Sequence, residues 1–173
     1  AFIFLLLIMF LGGVLSPVYA AGSFPKGDPV EFSYKNPIKS SGADPWVYYH
    51  DGYYYYTDTT AANITIRKSR SLVGIENANP KVVWIPPANT PYSSDLWAPE
   101  LYFIDGKWYI YFAAGGPGNQ YADQRMWVLQ SETDDALGKY KLLGQIKTSD
   151  NNFAIDGSII EYKNKLYFTW SGE

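Results

Sequence analysis

Ser41-Gly42-Ala43-Asp44-Pro45-Trp46-Val47-Tyr48-Tyr49-His50-Asp51-Gly52-Tyr53-Tyr54-Tyr55-Tyr56 reads as an aromatic β-hairpin with a carboxylate just ahead of its first strand. Asp51-Gly52 supplies the left-handed backbone that a two-residue hairpin turn requires, and apolar rings fill both flanks. Two weaker copies of the pattern follow, turned at Asp105-Gly106 and Lys163-Asn164. The turns stand 54 and then 58 residues apart. A period in this range, filled with short strands, is the mark of β-propeller blades.

The stretches between the hairpins supply the missing strands. In the first unit, residues 63–68 alternate as a third strand and 81–85 read as a fourth, ended by Pro86-Pro87 because neither proline can donate to a ladder. In the second unit the corresponding stretches are 125–130 and 140–146; the third unit offers 158–161 and 166–170 and then the sequence stops. The expected fold is all-β, a propeller of about two and a half four-stranded blades, read as the N-terminal part of a larger ring. Blades bury their flat faces only against one another, so an unclosed ring would leave an apolar face at each end.

Composition agrees with a β protein: 18% of the 173 residues are aromatic, with 16 Tyr and 6 Trp, and helical periodicity is scarce. The formal charge is −3 without a basic run, which argues against a nucleic-acid partner. With no Cys and a lone His50, neither a disulfide framework nor a Cys/His metal site is expected. Residues 1–20 read as a secretory signal peptide with an incomplete basic n-region: 2–15 are almost wholly apolar, and Val18-Tyr19-Ala20 resembles a cleavage site. The mature domain then occupies residues 21–173, secreted and without a membrane association after cleavage. Asn63-Ile64-Thr65 is an N-glycosylation sequon, meaningful only in a eukaryotic secretory pathway.

Meander geometry sorts the loops. Residue 44 and the segments 57–62, 86–99, 113–124 and 147–156 fall on one rim, and the three hairpin turns fall on the other. Asp44 precedes Asp51 by seven residues, and Asp156 precedes Lys163 by seven; in the middle repeat that position is Ala98. Either Asp alone would be read as capping its own turn. Their common register at the channel mouth points instead to paired carboxylates, the groups that glycosidic bond cleavage uses to activate water and protonate a leaving oxygen.

Four blocks in series resemble glycoside hydrolase family 43: Ala43-Asp44-Pro45-Trp46-Val47, Leu96-Trp97-Ala98-Pro99-Glu100-Leu101, residues 105–113, and Ala154-Ile155-Asp156-Gly157-Ser158. The resemblance covers roughly residues 36–172. It implies a five-bladed β-propeller and an inverting glycosidase, an arabinofuranosidase, endo-arabinanase or β-xylosidase. It implies that Asp44 is the general base and that Asp156 tunes and orients the general acid, a Glu from a later blade with no match in this sequence. As given, the piece is then expected to be inactive. The axial calcium of some members relies on a later His, so no cofactor is expected within this piece, and His50 is read as a packed strand residue.

Sugar recognition needs flat apolar surface and hydroxyl-bonding groups. Trp46 and Trp97 are the stacking candidates, Trp97 the better placed because it leaves a rim loop, whereas Trp46 suits packing between blades equally well. Glu100 lies two positions past the catalytic register and is read as structural or substrate-contacting. Arg125 is expected to bond substrate hydroxyls or to hold Glu100. The expected activity is exo-acting cleavage of α-L-arabinofuranosyl linkages in plant cell-wall oligo- or polysaccharide. A non-catalytic carbohydrate-binding propeller and a sugar-independent interaction propeller remain alternatives of another class.

Overall fold

The computed structural model describes residues 35–118 and 120–172. The expected signal peptide and Glu173 lie outside the described residues. Among the described residues ten strands follow in order: β1 (Ala43–His50), β2 (Tyr53–Thr59), β3 (Ile64–Ser69), β4 (Lys81–Trp84), β5 (Ser94–Ile104), β6 (Lys107–Gly115), β7 (Arg125–Ser131), β8 (Tyr140–Gln145), β9 (Ala154–Tyr162) and β10 (Lys165–Gly172). They form two four-stranded antiparallel meanders, β1-β2-β3-β4 and β5-β6-β7-β8, and a two-stranded sheet of β9 and β10. These are two propeller blades and the opening hairpin of a third.

The turns form as their residues dictate. Asp51 and Gly52 take φ of 48° and 76°, Asp105 and Gly106 repeat the same pair of values, and Lys163 and Asn164 take 48° and 56°. Two successive left-handed residues match the right-handed twist of the flanking strands, which fixes the register of each hairpin. His50 thus pairs with Tyr53, and Ile104 with Lys107.

The core lies between the first two blades. Tyr55, Ile64 and Ile66 from the first face Leu101, Trp108, Ile110, Phe112 and Leu129 from the second, all buried. Trp108 stands at its centre, with ring centroids 4.8 Å from Tyr55, 5.8 Å from Tyr48 and 5.1 Å from His50. His50 also lies 4.1 Å from the Phe103 ring, so it packs as a strand residue. A smaller cluster of Ala113, Met126 and Ala154, flanked by Tyr111 and Phe168, joins the second blade to the third.

The sequence pattern puts each carboxylate just ahead of its strand, whereas in the structure Asp44 lies within β1 and Asp156 within β9. Pairing continues past them through a bulge. In the first blade the register skips from Ala43↔Thr59 to Trp46↔Thr57. In the second it skips from Trp97↔Ala113 to Glu100↔Tyr111, and in the third from Ile155↔Ser171 to Ser158↔Thr169. Asp44, Ala98 and Asp156 each sit at the skip with φ of 50°, 42° and 53°. A bulge bends the strand and re-aims one side chain without ending the ladder.

Candidate active site

The repeated bulge decides what meets at the channel mouth. Asp44, Pro45, Trp46, Ala98, Glu100 and Asp156 line one cavity of about 230 Å³. Three of these hold the bulge position in successive blades, and Trp46 and Glu100 stand two residues beyond it. Strand side chains repeat on one face every second residue, so those two follow the carboxylates into the same space. The hairpin turns lie elsewhere: Asp105 and Asn164 border a separate cavity with Phe103, Glu161 and Leu166.

Asp44 and Asp156 are both exposed at this mouth. The Asp156 carboxyl is held above the ordinary carboxylate range, first by desolvation and second by the negative charge of Asp44. Asp44 accepts a 2.7 Å hydrogen bond at Oδ2 from the Thr59 hydroxyl. Thr59 in turn accepts a 2.7 Å bond from the backbone N–H of Ala98. The sequence pattern assigns Thr59 only to a rim loop, whereas the structure makes it the last residue of β2. An antiparallel bridge of Ala61 with Leu96, with Leu96 N–H donating to Ala61 O at 3.1 Å, pins that loop to β5.

Glu100 is tied to the third blade. The hydroxyls of Tyr102 and Ser158 both donate to its Oε2, the latter at 2.7 Å. The Tyr102 oxygen also accepts from the backbone N–H of Ile159 at 3.0 Å. Burial, and then the hydrogen bond to Glu100, push the Tyr102 phenol far above its usual pKa, so it remains a donor. Of the two roles expected for Arg125, holding Glu100 is not one the structure shows. Its guanidinium donates to the carbonyls of Ala122 and Gln124, both at 2.9 Å, and lines a different cavity with Pro91, Gly116, Pro117, Asp123, Trp127 and Gln145.

Of the two stacking candidates the structure places only Trp46 in the carboxylate cavity. Trp46 lines the carboxylate cavity while its indole N–H donates to Leu101 O at 2.9 Å, so one ring both walls the site and joins the blades. Trp97 is absent from that lining and packs beside Ala113, Met126 and Ala154, 6.0 Å from the Tyr121 ring. The reason is parity: Trp97 precedes the bulge by one residue, and the pleat turns it toward the third blade. Among the described residues no three His, Cys, Asp or Glu side chains are grouped to hold a metal ion.

Comparison with known proteins establishes the family. The family model for glycosyl hydrolases family 43 matches residues 34–173. The chain belongs to that family. It is 35% identical over 160 residues to an extracellular exo-α-(1→5)-L-arabinofuranosidase of Streptomyces avermitilis, covering 90% of this chain and 32% of the relative. A protein of the same name from Streptomyces chartreusis is 36% identical over 142 residues, covering 80% and 43%. The crystal structure of an α-L-arabinofuranosidase from Lactobacillus brevis superposes with a TM-score of 0.74 at 36% identity, covering 81% of this chain and 47% of that one. This family 43 chain therefore spans less than half the length of these relatives, and its two and a half blades are part of the family's five-bladed propeller. Among its described residues no helix is long and apolar enough to cross a membrane.

Proposed function

We propose that the protein is a secreted, inverting, exo-acting glycosidase that cleaves α-L-arabinofuranosyl linkages of plant cell-wall oligo- or polysaccharides. The observation that carries this reading is the convergence of Asp44 and Asp156 on one cavity walled by Trp46. The arabinofuranosidase names of relatives at 35–36% identity support the choice of sugar, and two of those names include "extracellular".

In this mechanism Asp44 takes a proton from a water whose oxygen bonds the anomeric carbon. The bond from that carbon to the leaving oxygen breaks, and a separate carboxylic acid, a Glu outside the residues described, protonates that oxygen. Asp156 stands beside the reacting sugar as an anion that raises the acid's pKa and orients it. Trp46 offers an apolar wall for a pentose ring, and the anchored Glu100 carboxylate accepts from a sugar hydroxyl. Endo-arabinanase and β-xylosidase action are the nearest rivals, because rim loops decide whether the mouth is a pocket or a groove.

The test is Asp44→Ala in the full-length protein with an aryl α-L-arabinofuranoside. Turnover should collapse while stability falls by no more than roughly 1–2 kcal/mol, because the residue is exposed but alanine is strained at a φ of 50° and lacks the bond to Thr59. Sugar binding without any turnover by the parent protein would favour the carbohydrate-binding alternative.

A further inference from the structure

We propose that Thr59 is a positioning residue that fixes the Asp44 carboxylate, and that the strained backbone of Ala98 on the neighbouring blade sets the direction of its proton. The inference rests on Asp44 being the base, and it assigns to the second blade a share in arranging a group carried by the first.

A threonine hydroxyl has one proton to give and two lone pairs to receive, and it ordinarily rotates to suit its surroundings. Here the rotation is settled from one side. Ala98 N–H can only donate, and it occupies a lone pair of Thr59 Oγ1 at 2.7 Å. The hydroxyl proton is left for Asp44 Oδ2, also at 2.7 Å. One carboxylate oxygen is thereby held in place, which fixes the plane of the carboxylate and the aim of its other oxygen. A base is effective only within hydrogen-bond reach and correct orientation of the water it deprotonates.

The relay depends on a backbone that alanine does not adopt without cost. Ala98 has φ of 42°, a left-handed value that asparagine, aspartate and glycine tolerate better. The surrounding structure enforces it. Pro99 is buried behind Ala98, and the pairs Trp97↔Ala113 and Glu100↔Tyr111 clamp the bulge on both sides. The N–H that this bulge releases from the ladder is the one that reaches Thr59. Two residues away, Leu96 N–H bonds Ala61 O and keeps the β2–β3 connection in register with β5. The same bulge that places carboxylates in the first and third blades thus places, in the second, a backbone donor. Local strain retained where it sets up a site is a recognised pattern.

The experiment compares Thr59→Val, Thr59→Ser and Asp44→Asn in the full-length protein, with kcat and KM on an aryl α-L-arabinofuranoside and the melting temperature of each. Thr59→Val keeps the shape and loses the hydroxyl. It should lower kcat roughly tenfold to a hundredfold, the scale of a lost hydrogen bond to a charged group, while KM changes by less than about twofold. Thr59→Ser should recover most of the lost kcat. A Thr59→Val protein with kcat within about twofold of the parent would overturn the proposal, as would a serine variant as impaired as the valine one. Should Asp44→Asn turn over at the parental rate, the base assignment itself fails, an outcome separable from a failure of Thr59 alone.

Discussion

Tyr102→Phe should loosen the second blade from the third. The phenol oxygen donates to Glu100 Oε2, accepts from Ile159 N–H at 3.0 Å, and lies 3.3 Å from Ser158 Oγ. Phenylalanine preserves the ring, which packs 5.2 Å from Trp46 and 5.8 Å from Tyr111, so the hydrophobic contribution is retained. What is lost is a neutral bond of about 1 kcal/mol and a bond to a carboxylate of about 1.5–3 kcal/mol. These do not add fully, because Ser158 still donates to Glu100 at 2.7 Å and water can reach a half-buried site. A net loss of about 2 kcal/mol is expected. Denaturant unfolding of the full-length protein measures it, and a double-mutant cycle with Ser158→Ala should return a coupling of at least about 0.5 kcal/mol between the two hydroxyls. A Tyr102→Phe protein within about 0.5 kcal/mol of the parent, with no coupling, would refute the view that this hydroxyl cluster fastens the blades.

Two further outcomes follow from local geometry and from charge. Gly157 follows Asp156 in the third bulge, and a Cβ there would collide with the Phe168 ring and come within 2.5 Å of Met126 Cε. Gly157→Ala should therefore destabilise the protein by roughly 1–3 kcal/mol and lower turnover by displacing Asp156, checked by melting temperature and kcat together. Burial, followed by the charge and hydrogen bond of Asp58, pushes the Tyr56 phenol up to about 12, and burial is the first cause of raised values at Tyr102, Tyr111 and Tyr140. A folded pKa above the unfolded one means that this contribution is intact below about pH 10 and is lost as pH rises beyond it. The denaturant midpoint should fall from about pH 10 upward, with native tyrosinate absorbance lagging behind that of the unfolded chain. Native phenols that all ionise near pH 10 would contradict this.

The sequence by itself determined the parts of this protein governed by neighbours along the chain. Asp51-Gly52, Asp105-Gly106 and Lys163-Asn164 turn the strands because each pair adopts left-handed backbone. The meanders follow from alternation and from short connections. The seven-residue interval then carries Asp44 and Asp156 to one mouth, since equal distance from equivalent turns gives an equivalent place in the blade. Tertiary structure decided everything that depends on the adjoining blade. In the sequence Trp97 is the better stacking candidate and Trp46 suits packing equally well, yet the bulge sends only Trp46 into the cavity. Glu100 finds Tyr102 and Ser158 instead of Arg125 because β9 stacks against β5, while Arg125 spends its donors on nearby carbonyls. Thr59 carried no signal that periodicity could detect. Its partners, Asp44 and Ala98, lie on two different blades, and only the stacking of those blades brings a left-handed alanine N–H and a carboxylate to the same hydroxyl.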